Sequence, residues 1–189
     1  MIEMTRKYSM YLLLFAAALA FITVPANAQS ATGTTTLSVT VGAEAGLTVA
    51  ATSTLTSVGG NFAAFTGSTA LTYFVRTTQS TGAGSITAKV TADFTPAGGP
   101  SVATPPTTGD ALTYTSSGTA PGNNGTGAVM AFTNVTASTS AQTNVATFGA
   151  DNRSLVTGNS ESVAWTLSND PKYKTGAYSA TVTFTISAT

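Results

Sequence analysis

The side chains able to do acid–base or nucleophilic chemistry are few: seven carboxylates, with no histidine and no cysteine. Without those two residue types there is no Ser–His–Asp triad, no thiol nucleophile, no ordinary zinc site and no thiolate- or imidazole-held iron centre. Chemistry by carboxylates alone remains, as in a hydrolase with a paired acid and base. Beyond Glu3 the acids are Glu44, Asp93, Asp110, Asp151, Glu161 and Asp170. No two of them share one face of a predicted strand at close spacing. Asp93 falls four residues from Lys89 on the outward side of a predicted strand, which reads as a solvated charge pair. Asp151 and Asp170 lie in Asp-Asn-Arg and Asn-Asp-Pro stretches, where such side chains bond their own backbone in turns. Calcium wants several hard oxygen donors together, so only weak binding by loop carbonyls and one or two acids is left open. The loop Pro121 to Gly127 is glycine-rich, but it lacks the Lys and hydroxyl that close a phosphate cradle. The expectation is a protein that is not an enzyme, with no catalytic, cofactor-binding or metal residues.

Composition narrows the partners. Charged residues are only 7% of 189, seven basic against seven acidic, and roughly three residues in ten are Thr or Ser. So sparse a positive charge leaves no nucleic-acid footprint. With 42% hydrophobic residues and no net charge the chain is also unlike a disordered one.

Residues Met1 to Ala28 have the layout of a secretory signal peptide. Arg6 and Lys7 precede an apolar run from Tyr11 to Val24, Pro25 breaks the helix, and Ala26-Asn27-Ala28 forms a small–x–small cleavage box before Gln29. The run is shorter than the roughly 20 residues of a membrane span. The expectation is cleavage after Ala28 and export to the periplasm, cell surface or extracellular space, with no stable membrane insertion afterwards. Residues 29–189 would then form one domain, a length that needs no disulfides.

Along those residues the apolar pattern has period two, the signature of half-buried strands. Ile86, Ala88, Val90, Ala92 and Phe94 alternate with polar residues, as do Tyr178, Ala180, Val182, Phe184 and Ile186. Thr35, Leu37, Val39 and Val41 alternate with Thr36, Ser38 and Thr40 in a third predicted strand. Shorter strands are expected at 47–51, 71–76, 112–115, 145–148 and 162–167, with a weaker one at 129–132. Loops rich in Pro, Gly, Ser, Thr and Asn separate them. No stretch shows a helical period. The expected fold is all-β: an antiparallel two-sheet β-sandwich, immunoglobulin-like or Greek-key, following the signal helix. A membrane barrel also alternates, but the aromatics here are scattered rather than gathered in girdles.

Among ligand-facing candidates, Trp165, Tyr73 and Tyr114 would serve a glycan- or protein-binding module as a stacking platform; core packing is the competing role for Trp165. The outward series Thr181, Thr183 and Thr185 reads as an ordinary solvated strand face.

The opening, Gln-Ser-Ala-Thr-Gly-Thr-Thr-Thr-Leu-Ser-Val-Thr-Val from Gln29 and then Gly46-Leu47-Thr48-Val49, resembles that of spore-coat-U-type and other chaperone–usher-like fimbrial subunits. The ending from Gly176 to Phe184 is similar to their closing strand. The chain lacks the cysteine often present in their first strands and has Ala188 where many carry a penultimate aromatic. The resemblance implies an immunoglobulin-like sandwich that donates an extended strand to a neighbour, with Leu37, Val39 and Val41 as the side chains that fill the neighbour's groove. The expected role is a structural or adhesive surface protein, a filament or coat subunit whose partners are its own copies or other surface proteins.

Overall fold

The computed structural model describes residues 32–103, 110–122 and 125–189. Signal-peptide residues Ala26, Ala28 and Gln29 lie outside these. The chain forms two compact units, residues 1–39 and 40–189. In the first, the described residues 32–39 belong to no strand, and Leu37 and Val39 are 91% and 86% exposed.

The second unit is all-β, two antiparallel sheets around one core. Its strands are β1 (Glu44–Val49), β2 (Thr56–Ser57), β3 (Phe65–Arg76), β4 (Gly84–Thr95), β5 (Leu112–Gly118), β6 (Val135–Ala137), β7 (Thr143–Phe148), β8 (Asn159–Leu167) and β9 (Ser179–Ala188). The large sheet runs β1-β3-β8-β5-β6, with β2 on the far end of β3; the small sheet runs β7-β4-β9. This is the sandwich-like arrangement expected of short, alternating, β-branched segments.

Alternation selects the core. On β3 the inward series is Phe65, Gly67, Thr69, Leu71, Tyr73 and Val75; on β8 it is Asn159, Glu161, Val163, Trp165 and Leu167. The register Thr69↔Val163 and Tyr114↔Trp165 stacks these series across the large sheet. From the small sheet Ile86, Ala88 and Val90 close over them. A shift in the β4–β7 register beside Ile86 turns two consecutive residues, Val145 and Ala146, into the core. Further shifts after Val90 turn Ala92 outward and leave Phe94 half-buried, where simple alternation expected both inward.

Three further sequence expectations change. The predicted strand at 35–41 does not form: residues 32–43 are in no strand and β1 starts at Glu44. Alternation marks a segment fit for a sheet, but a strand also needs a ladder partner. Near 129–132 there is a single bridge, Val129 to Thr147, while the strand forms at β6. The Lys89–Asp93 pair is absent among the described ion pairs, because Asp93 serves the backbone. It accepts from the amides of Phe94 and Val102, each at 2.8 Å, and from the Ser101 hydroxyl at 2.5 Å.

Candidate functional site

The chemistry of this unit gathers where its sandwich is incomplete. β1 and β9 are edge strands of different sheets and lie side by side with no ladder between them. At one end they are held together by the chain around them. Arg76 pairs with Glu44 at 2.5 Å and donates to the Gly42 carbonyl at 2.7 Å, while the Thr78 amide donates to the C-terminal Thr189 carbonyl at 2.9 Å. At the other end the two edges separate. After Val49 the chain makes one more bond to β3, from the Ala50 amide to the Ala70 carbonyl at 3.0 Å, and then leaves the ladder. It crosses the inner face of the sheet at Gly67, where a side chain would strike the Thr54 carbonyl and the Leu55 methyl at 2.8 Å.

The separation opens a groove of about 1050 Å³ between the sheets. Its floor is Phe65, Leu112, Trp165 and Leu167 from the large sheet and Phe94 from the small one; β9 forms a wall through Ala180, Val182 and Phe184. The inward residues of β9 are only half-buried along the strand, whereas those of β3, β4 and β8 are buried in their central stretches. Along its free edge β9 also leaves alternate amides and carbonyls without a strand partner. Phe62, at the rim, is 60% exposed and holds φ at 57°, a left-handed conformation that costs a bulky residue energy.

The aromatic platform does not form. Tyr73, Tyr114 and Trp165 are 0%, 1% and 5% exposed, so none offers a free ring face to a sugar. Each polar atom is taken inside: the Tyr73 hydroxyl donates to the Thr119 carbonyl at 2.5 Å, that of Tyr114 to the Asn144 carbonyl at 2.7 Å, and the Trp165 indole to Thr69 at 2.8 Å. Trp165 stacks edge-on against Tyr114 and Phe184, making it a support of the groove floor. The reason is phase: all three lie in the inward half of their strands.

The acids do not gather either; among the described residues no three potential ligands come together for a metal. Asp110 and Asp170 both approach Lys172, at 3.1 and 3.7 Å, so that one ammonium is shared between two carboxylates. Glu161 stands apart as a buried acid on β8. Outside the groove, Thr181, Thr183 and Thr185 are exposed, and Thr183 shares a hydrogen bond with Thr91 at 2.9 Å across the ladder.

The donor residues proposed from sequence are in the opposite condition to the groove. Leu37 and Val39 are exposed, and Val41 is 63% exposed. The resemblance implies an acceptor groove, but of the residues that line it the sequence singles out only Trp165, and for a different role. The chain matches no known protein family, no curated protein and no solved structure.

Proposed function

We propose that this is an exported, non-enzymatic structural or adhesive protein that associates by β-strand addition, each copy receiving residues 35–41 of another. The observation that carries the reading is the half-buried inward face of β9 beside an open apolar groove. An immunoglobulin-like or Greek-key sandwich lacking one edge strand would have such a face.

The donor fits in pattern and in energy. Leu37, Val39 and Val41 recur every second residue, as Ala180, Val182 and Phe184 do along the groove wall. Three side chains at that period cover roughly 13–14 Å of strand on either side. Burying three such aliphatic chains, which start largely exposed, is worth at most roughly 5–9 kcal/mol before the costs of association. Main-chain bonds to the free edge of β9 would add affinity, as in other strand-addition complexes.

Direction follows from β1. The chain enters β1 at Glu44, where Gly42 is tied to Arg76, and the groove opens beyond Val49, roughly 17 Å further along the strand. Donor and acceptor are different segments of the chain, and a contact between unlike surfaces is head-to-tail; it yields filaments when the rotation does not close. The low charge of the chain suits such an apolar contact.

Sizing chromatography of residues 29–189 and of residues 42–189 tests the reading. The longer chain should form concentration-dependent oligomers and the shorter one should run as a monomer. Equal association of the two would refute donation by this segment.

A further inference from the structure

We propose that Glu161 is a buried proton-binding site whose ionisation loosens β5 from β8 at the Gly118 end of the large sheet. Taken alone, this group would hold the sheet tighter in acid and leave it slacker as the medium turns alkaline. The inference is independent of strand addition.

Glu161 occupies an inward position of β8 and is 2% exposed. No side chain hydrogen-bonds to either carboxyl oxygen, and the neighbouring Ser162 amide lies near the carboxyl without reaching hydrogen-bond geometry. Directly across the ladder is Gly118, the last residue of β5, and its lack of a side chain makes room for the carboxyl: a Cβ there would collide with Oε2 and lie 2.7 Å from the carboxyl carbon. On β3 the residue opposite is Leu71, which is apolar. The titratable group facing Glu161 is Tyr73 of β3, itself packed on Phe148, and it cannot neutralise a carboxylate. Arg76 and Arg153, the cations at this end of the sheet, are paired with Glu44 and Asp151.

A neutral carboxyl in this place costs about what an unmade hydrogen bond costs, whereas an ionised one without a partner costs far more. Burial accordingly pushes the Glu161 carboxyl up to about 8, with only the neighbouring Ser162 amide acting against it. Burial, and then the Glu161 charge, push the Tyr73 hydroxyl upward in turn. The sign is that of a raised pKa. The unfolded chain releases this proton in the ordinary carboxyl range and the folded chain holds it to about 8. Stability is fully present below the first value and declines as pH rises to the second. The site of yielding is set by what surrounds the carboxyl. Past Gly118, the end of β5 is held by the Thr119 amide to the Ser160 carbonyl at 2.9 Å and by Asn159 to the Ala120 carbonyl at 2.9 Å.

Three measurements decide it. In urea titrations of the full chain across that window, the folding equilibrium constant should fall by up to about tenfold per pH unit. Glu161→Gln, which keeps the shape and removes the charge, should flatten that fall; parallel declines in the two proteins would overturn the proposal. Should the variant fail to fold, NMR of the Glu161 carboxyl carbon in the native chain still decides. A midpoint near 8 supports the proposal, and one in the ordinary range of about 4–5 refutes it. Amide exchange places the opening: excess exchange at Gly118 and Thr119 supports it, and uniform loss of protection across the sheet overturns the local loosening.

Discussion

Thr69 serves two neighbours with one hydroxyl, accepting from the Trp165 indole at 2.8 Å and sharing a bond with Ser53 at 2.6 Å. It thereby ties the segment that borders the groove to the groove's aromatic floor. Thr69→Val keeps the volume but leaves a buried indole N–H unpaired, which should cost about 1–3 kcal/mol in a denaturant titration. A loss below about 0.5 kcal/mol would show that the indole finds another partner. Asp93 does similar work at the loop after β4. Partial burial pushes its carboxyl up, but bonds from Ser101 and from the amides of Val102, Phe94 and Ala103 outweigh that and hold it below the usual range. Its stabilisation is therefore present above the ordinary Asp range and is lost as pH falls through the depressed value, the reverse of Glu161. Asp93→Asn should flatten the acid limb of the stability profile and leave the limb assigned to Glu161 unchanged. A shift of both limbs would mean that neither group acts alone. Glu161 itself was within reach of the sequence, since the alternation Leu167, Trp165, Val163 continues back onto it.

Strands were legible wherever a segment both alternates and finds a partner. β4, β8 and β9 fall close to where the apolar period puts them, and the inward residues of β9 keep their phase over the whole strand. The departures arise where pairing rather than pattern decides. Residues 35–41 alternate as cleanly as any strand yet form none, and the small strand β6 follows from its pairing with β5 more than from its sequence. The groove was illegible for the same reason: it is the gap left by a ladder not made, which no single segment encodes. Replacing Leu37, Val39 and Val41 together by Ser should leave the melting curve of the isolated subunit unchanged, since these side chains are exposed. Oligomers should disappear from its sizing profile; oligomers of undiminished size would exclude these residues as the donor face. At the rim, Phe62→Gly relieves a left-handed backbone and should hold or raise stability by roughly 0.5–1 kcal/mol in denaturant. A clear destabilisation would show that the Phe62 ring supports the fold rather than merely lining the rim.

For the whole molecule, sparse charge and abundant Thr and Ser acquire a place. Hydroxyls line the solvent side of β4 and β9, while apolar side chains lie open at Leu37, Val39 and Val41 and in the groove, and also at Val58, Val129, Leu155 and Val156. An association built on that surface should be nearly indifferent to salt, because few charges are there to be screened. Sedimentation velocity from about 0.05 to about 0.5 M salt should therefore give the same size distribution, and dissociation by salt would point to ionic contacts instead. The central claim is that donor and acceptor are different surfaces on copies of one chain. Two half-disabled proteins test it most directly: Leu37→Ser, Val39→Ser, Val41→Ser with its groove intact, and Val182→Asp with its donor intact. Each alone, confirmed as folded by circular dichroism, should be monomeric in sedimentation velocity. Mixed, they should form a heterodimer of one copy each and nothing larger, since that pair uses the one good donor and the one good groove. A mixture that stays monomeric, or a single variant that polymerises like the unaltered chain, would contradict head-to-tail strand addition.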